Sequence, residues 1–461
     1  MALAFYLAFL GAASAFALVD WRRAWFFVAL CGVLQDPVRK LSAGTPVLVS
    51  FLVVGLYACI VFGARHAILA HLTDFARRFG QLYTAIFAFI LLLVISAFNG
   101  LFTYGFDKWK VPLVSFFTYC VPLVAVIVGY AWFQREEMMY RFFRFYAAVT
   151  SVALLGTVAE YARVNSRVLG LVAYEGDYIR HLPGIQIRLL SGLYRGPDIM
   201  AWHAGMLTVI AIGMALRKGF GRSMLLWGGV AAWGFFNCMI SGRRKAIYFV
   251  LAFTLLFVWR SVKRIGSGQI VALLGVLLLL GGVIQHFTRA EDTSVYAKGA
   301  VASRVELAQR LEGGALETLS QYGLMGAGLG AATQGVHHLI GDQQMVGWQE
   351  GGLGKLAIEV GLPGMLAIAL IGWIVIRLLL RLTSIDDVPG SSHFIRAMLF
   401  GMAGANGAAF MASAQAFSDA VLALTAGFFV GCLFATAALD ERLAAEERAK
   451  AAPQLTSPVP A

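Results

Sequence analysis

Apolar stretches near 2–18, 24–35, 45–64, 81–98, 112–132, 143–161, 199–216, 223–240, 246–262, 268–285, 356–377, 394–413 and 419–437 alternate with short polar segments. Most are about 17–22 residues long, the length at which a helix crosses a hydrocarbon core of roughly 30 Å. Barrel strands would be shorter and would alternate polar with apolar. The pattern predicts an all-α, polytopic transmembrane bundle of about 12–13 helices. The stretch 24–35 is short and ends at Gln35-Asp36-Pro37, which predicts a re-entrant or tilted piece in place of a full crossing. No A-x-A-like cleavage site follows the first stretch, and Trp21-Arg22-Arg23 reads as an interfacial anchor, so a helix is predicted there and not a signal peptide.

Composition agrees with this reading. The chain has 461 residues, 59% of them hydrophobic and 13% charged, and its mean hydropathy is +0.75. Such values exclude an ordinary soluble protein.

The cations fall into two sets of alternate loops. One holds Arg22/Arg23, Arg65/Arg77/Arg78, Arg135/Arg141/Arg144, Arg217/Lys218/Arg222, Arg260/Lys263/Arg264, Arg377/Arg381/Arg396 and the tail Arg442/Arg448/Lys450. Crowded into short loops, these are assigned to the cytoplasm by the positive-inside rule. The N-terminus is then on the outer side of the membrane and the C-terminus is cytoplasmic.

The other set lies largely in two long segments, 162–198 and 286–355, where that rule loses force. Residues 1–440 form the bundle with these two outer loops, the later one large and partly helical. Residues 441–461, rich in Ala, Pro and Glu, are expected to be a disordered tail.

Arg243-Arg244-Lys245 stands apart, because its loop is only a few residues long and lies on the side where cations are scarce. Charges held there at a cost point to a task, with lipid-headgroup anchoring as the bland alternative. The net charge of +12 suits contact with anionic membrane lipids and carries no sign of nucleic-acid binding. Cys31, Cys59, Cys120, Cys238 and Cys432 all sit in apolar stretches without C-x-x-C spacing and read as small core residues. Adjacent His337 and His338 cannot share a helix face, so no metal site is expected. The cluster GLMGAGLGAA (323–332) lacks the lysine and Ser/Thr of a phosphate loop, and glycines that let a turn pack closely are the simpler reading.

In order, RLLSGLYRGPDIMAW, SGRRKAIYF, GLMGAGLG and QEGGLGKLAIEVGLPG resemble motifs of the superfamily of O-antigen ligases and O-antigen or exopolysaccharide polymerases. The residues that carry the resemblance are Arg188, Gly192, Pro197 and Asp198 at one helix start, and Ser241 to Arg244 at another. Arg304 with Gly323 to Gly330 follows in the late loop, and then Glu359, Gly361 and Gly364. The match covers about residues 185–380, while the first 180 residues match only in hydropathy. The family usually carries a His-Asn pair about nine residues before that glutamate, the histidine being its catalytic base. Glu350 stands there instead, with His337 and His338 a little earlier.

The resemblance implies a bacterial inner-membrane protein whose outer loops and N-terminus are periplasmic, a glycosyltransferase that joins undecaprenyl-pyrophosphate-linked saccharides on the periplasmic face, without metal or other cofactor. It implies a polymerase, with transfer onto a lipid A core as the alternative. Partners would be the lipid-linked saccharide, membrane lipids, and chain-length and export proteins. Arg188, Arg243 and Arg244, with Arg195 and Lys245 behind them, are the expected pyrophosphate ligands, since arginine binds phosphate oxygens in pairs and stays protonated. Glu350, or His337 or His338, is the expected base. Tyr194, Asp198, Arg304 and Glu359 are candidate saccharide contacts, Glu359 being equally readable as a structural hub. A transporter or flippase would use the same arginines without turnover, and a non-catalytic assembly partner is a third reading. The absence of a visible repeat and the placing of charges at helix ends favour the enzyme.

Overall fold

The computed structural model describes residues 1–172, 178–182, 185–217, 219–261, 266–289, 317–333, 351–384 and 392–451. Its helices are α1 (Ala2–Val19), α2 (Trp21–Leu41), α3 (Leu52–Gly63), α4 (Arg65–Arg78), α5 (Gly80–Tyr104), α6 (Lys110–Trp132), α7 (Glu136–Ala153) and α8 (Leu155–Tyr161). After a two-stranded hairpin come α9 (Pro197–Arg217), α10 (Arg222–Ile240), α11 (Arg244–Ser261), α12 (Ser267–Arg289), α13 (Gly352–Ser384), α14 (Ser392–Ala412) and α15 (Ala420–Ala451). The hairpin pairs β1 (Ile179–Leu182) with β2 (Ile185–Arg188) antiparallel, Ile179 opposite Arg188.

Among the described residues, ten helical segments are long and apolar enough to cross a membrane: α1, α5, α6, α7 with α8, α9, α10, α12, α13, α14 and α15. The fold is a multi-pass helical membrane bundle. Its axis is α9, whose residues from Ile199 to Leu216 are all buried by neighbours. A helix apolar on every face belongs in the middle of a bundle. α15 lies against α6 at close range, because a side chain on Gly427 or Gly431 would strike the carbonyls of Pro122 and Val126. Without a hydrophobic drive between helices in lipid, such small-residue contacts bring backbones together.

Four expectations need correction. The piece read as 24–35 is one helix of 21 residues that continues through Pro37 to Leu41. Asp20 caps its start by accepting from the Arg23 N–H at 3.1 Å, and its polar last turn finds partners described below. The stretch 45–64 is not one regular helix. A 3₁₀ turn at Val47–Phe51 leads into α3, and the pair α3–α4 is bent by 77° at the Gly63–Arg65 junction, where the Gly63 backbone meets the Ala17 carbonyl of α1. Against the expected 12–13, ten segments among the described residues qualify as crossings by length and composition, or eleven with this bent pair. α2 and α11 are helices too, but their charges remove them from that count. Finally, α15 runs to Ala451, so the start of the supposed disordered tail is helical. Ala, Glu, Arg and Lys there extend a helix already nucleated, and Glu441 pairs with Arg78 at 2.7 Å.

Candidate functional site at the hairpin end of the bundle

The segment 188–198, between the hairpin and α9, gathers charge from four directions. Its turn is held first. Lys40, in the last turn of α2, donates to the carbonyls of Val168, Gly192 and Tyr194 at 3.2, 2.8 and 2.7 Å. Glu160, at the end of α8, accepts from the N–H groups of Ser191 and Gly192 at 3.0 and 2.5 Å. One cation and one anion therefore saturate opposite sides of the same turn. Gly192 is required in it, with φ +58° and Thr157 packed where a side chain would go.

Arg195 comes next. Its guanidinium lies 3.0 Å from Asp419 Oδ2 and 3.9 Å from Asp36 Oδ1, and its backbone N–H donates to Asp36 Oδ2 at 2.9 Å. Gln35 Nε2 donates to Asp419 Oδ2 at 2.9 Å. Both carboxylates have no solvent exposure. Asp419 also caps α15, accepting from the N–H groups of Val421 and Leu422 at 2.8 and 3.1 Å, where an anion is favoured by the helix dipole.

The cationic run follows on the same surface. Asp198, in the first turn of α9, sits between Arg243 Nη2 at 3.0 Å and Lys245 Nζ at 3.3 Å. Lys245 also donates to Ser413 Oγ and, at 3.1 Å, to Gln415 Oε1. The connection from α14 to α15 thus holds Lys245 through Ser413 and Gln415, and Arg195 through Asp419. A cavity of about 20 Å³ lies between Asp198, Arg243, Lys245 and Ser413, which is room for roughly one water.

Arg188 ends strand β2 and does not begin a helix; the helix begins at Pro197. β2 packs on the turn before α11, a side chain on Gly242 coming within 3.6 Å of the Arg188 carbonyl. Arg188 and Arg243 are thereby brought to neighbouring backbone positions. Arg244 opens α11. Tyr194 is a buried core ring, stacked on His203 with centroids 4.7 Å apart, and His203 Nδ1 pairs with the Tyr146 hydroxyl at 2.8 Å. That position does not suit a saccharide contact. Glu350, His337, His338 and Arg304 lie outside the described residues.

Glu359 has a role of its own. Fully buried in α13, its Oε1 accepts from the N–H groups of Gly330 and Ala332 at 3.2 Å each, and from the hydroxyls of Thr333 and Ser115 at 2.6 and 3.3 Å. Oε2 accepts from the Tyr119 hydroxyl at 2.6 Å. The glycine-rich turn 323–333 is wrapped around this carboxylate and wedged against α5, where Asn99 Nδ2 donates to the Gly326 carbonyl at 2.9 Å and Leu329 N–H to the Ser96 carbonyl at 3.1 Å. The glycines meet helices α5, α6 and α13 at close range. Gly328, with φ +93°, touches the backbone of Gly100 where a side chain would project. Gly328→Ala is expected to lower the melting temperature in detergent and cost about 2 kcal/mol or more, from the left-handed backbone and the backbone clash together. An unchanged melting curve would contradict this packing.

An apolar cavity of about 710 Å³, lined among others by Phe51, Val54, Phe117, Val121, Phe417 and Ala420, opens between the 47–51 turn, α6 and the start of α15. Phe417 also lines the small cavity beside Lys245, so the charged cluster and the apolar groove share a wall. In the sequence Gln35 and Asp36 stand out only as the end of an apolar stretch, and Glu160, Gln415 and Asp419 do not stand out. The signal available was acids at the ends of apolar stretches, where charge is costly. Fold and site define a multi-pass membrane protein with a buried charge network at one end. In comparisons with known proteins, no family and no curated protein matches this chain.

Proposed function

We propose that the protein is a membrane glycosyltransferase that joins undecaprenyl-pyrophosphate-linked saccharides on the periplasmic face, as an O-antigen or exopolysaccharide polymerase. The observation that carries this reading is the charged cluster in which Asp36 and Asp419 hold Arg195 while Arg243 and Lys245 share the single carboxylate of Asp198, beside an apolar groove of about 710 Å³. A lipid with an anionic head needs that combination. The acceptor hydroxyl oxygen attacks the anomeric carbon, the bond from that carbon to the pyrophosphate oxygen breaks, and the lipid pyrophosphate leaves with the electron pair. Glu350 takes the hydroxyl proton. Asp198 bridges Arg243 and Lys245, one carboxylate between two cations, so a phosphate oxygen binds there on the positive charge left over. Each donor placed where leaving-group charge develops contributes about 10²–10³ in rate.

Arg244→Ala and Glu350→Gln are each expected to abolish polymer growth in cells with membrane insertion intact. Normal polymer lengths in both variants would sink the site assignment. Two other readings are separated by purified protein in detergent given undecaprenyl-pyrophosphate-linked repeat units. A transporter would use the buried triad Asp36–Arg195–Asp419 as a fixed charge site. Ladder formation without a second compartment excludes transport as the sole activity. Ladders that appear only when lipid A core is supplied make it a ligase.

A further inference from the structure

At the opposite end of the bundle, a groove of about 670 Å³ lies between the α1–α2 junction and the α6–α7 junction. Its size is that of a small-molecule ligand site. Phe16, Phe26 and Phe27 form an apolar wall, and Arg22, Arg23 and Arg141 line the same groove with a single acid, Asp20. Two loops distant in sequence therefore pool their arginines over one apolar surface.

The arginines are unequally committed. Arg23 pairs with Asp20 at 3.2 Å and is 80% exposed, and Arg141 lies 3.6 Å from Glu137 and is 69% exposed. Exposed pairs of this kind contribute little, so both guanidiniums exchange readily onto a stronger anion. Arg22 is different. The Trp132 indole N–H donates to its carbonyl at 2.8 Å and fixes its backbone. Its guanidinium lies over the Trp21 ring at 4.8 Å, and its buried Nε has no hydrogen-bond partner. A buried donor without an acceptor carries a desolvation cost that an incoming oxygen removes. Charge alone would serve a free anion; the phenylalanine wall beside it calls for a hydrocarbon chain.

We propose that this groove binds an anionic phospholipid, its phosphate held by Arg22, Arg23 and Arg141 and one acyl chain lying along Phe16, Phe26 and Phe27. Arginine's planar fork matches two phosphate oxygens at once. The site lies at the other end of the bundle from the hairpin and does not depend on the glycosyltransferase reading.

The test uses the purified full-length chain in a neutral detergent, with bound lipid counted by native mass spectrometry against dioleoyl-phosphatidylglycerol and dioleoyl-phosphatidylcholine. Phosphatidylglycerol is expected to bind at lower concentration than phosphatidylcholine. At about fivefold per arginine, the double substitution Arg22→Ala/Arg141→Ala is expected to weaken it about 25-fold. Met138 also lines the groove, and Met138→Trp fills it while leaving the arginines in place. That variant is expected to lose the same bound lipid, and it decides the matter alone if the double variant does not fold. Equal binding of the two lipids overturns the proposal, as does unchanged phosphatidylglycerol binding in the variants. Displacement of the lipid by millimolar inorganic phosphate also overturns it, since the site would then serve a free anion.

Discussion

Arg195→Met is expected to be among the most damaging single substitutions in the protein, costing about 3–5 kcal/mol, the usual penalty for removing one partner of a buried ion pair. The reason is geometric. Asp36 and Asp419 are both fully buried and both face this one guanidinium, so its loss leaves two carboxylates in a medium that cannot solvate them. The triple substitution Arg195→Met/Asp36→Asn/Asp419→Asn removes the charges together and is expected to recover most of the stability, because neutral replacement of a whole buried cluster is often tolerated. Arg195→Lys is expected to rescue only in part, since an ammonium cannot present a planar fork to two acids at once. Thermal unfolding in detergent, together with the amount of protein inserted in membranes, measures all three. A single Arg195→Met variant that melts with the wild type would mean that the triad does not bear on the fold.

Glu359→Leu is the second large effect, expected at about 4 kcal/mol or more. It strips the acceptor from the buried N–H groups of Gly330 and Ala332 and from three hydroxyls, and each orphaned buried group costs about 1–3 kcal/mol. Glu359→Gln is expected to be much milder. Its carbonyl can take the Oε1 position against the two N–H groups, which can only donate, while its amide turns to Tyr119, whose hydroxyl can reverse and accept. The pair of variants separates a hub from a ligand. A hub gives a large fall in melting temperature for leucine and near-normal polymer growth for glutamine; a saccharide contact gives lost growth in the glutamine variant at an unchanged melting temperature.

Much of the architecture is legible in the chain. Each of the thirteen apolar stretches overlaps a helix of the structure, though 45–64 opens as a 3₁₀ turn and 143–161 is interrupted at Leu154, because the hydropathy of a membrane span is local and needs no knowledge of its neighbours. The breaks were less legible. Pro37 marks a helix end only if the turn after it lacks partners. Here Gln35, Asp36 and Lys40 bond to Asp419, Arg195 and the 192–194 turn, and the helix continues. The bend at Gly63 likewise depends on the Ala17 carbonyl of another helix.

The candidate site divides in the same way. The sequence by itself determined that Arg243, Arg244 and Lys245 stand at the start of an apolar helix, and that the glycines of 323–332 form a close-packed turn. Both follow from local composition and spacing. Only the tertiary structure decided that Asp198 bridges Arg243 and Lys245, that Asp36 and Asp419 close on Arg195, and that the glycine turn folds around the Glu359 carboxylate. Each of these joins residues far apart in the chain, and the partner of a buried charge is set by which helices meet. Helix formation is local, but the pairing of its charges depends on packing.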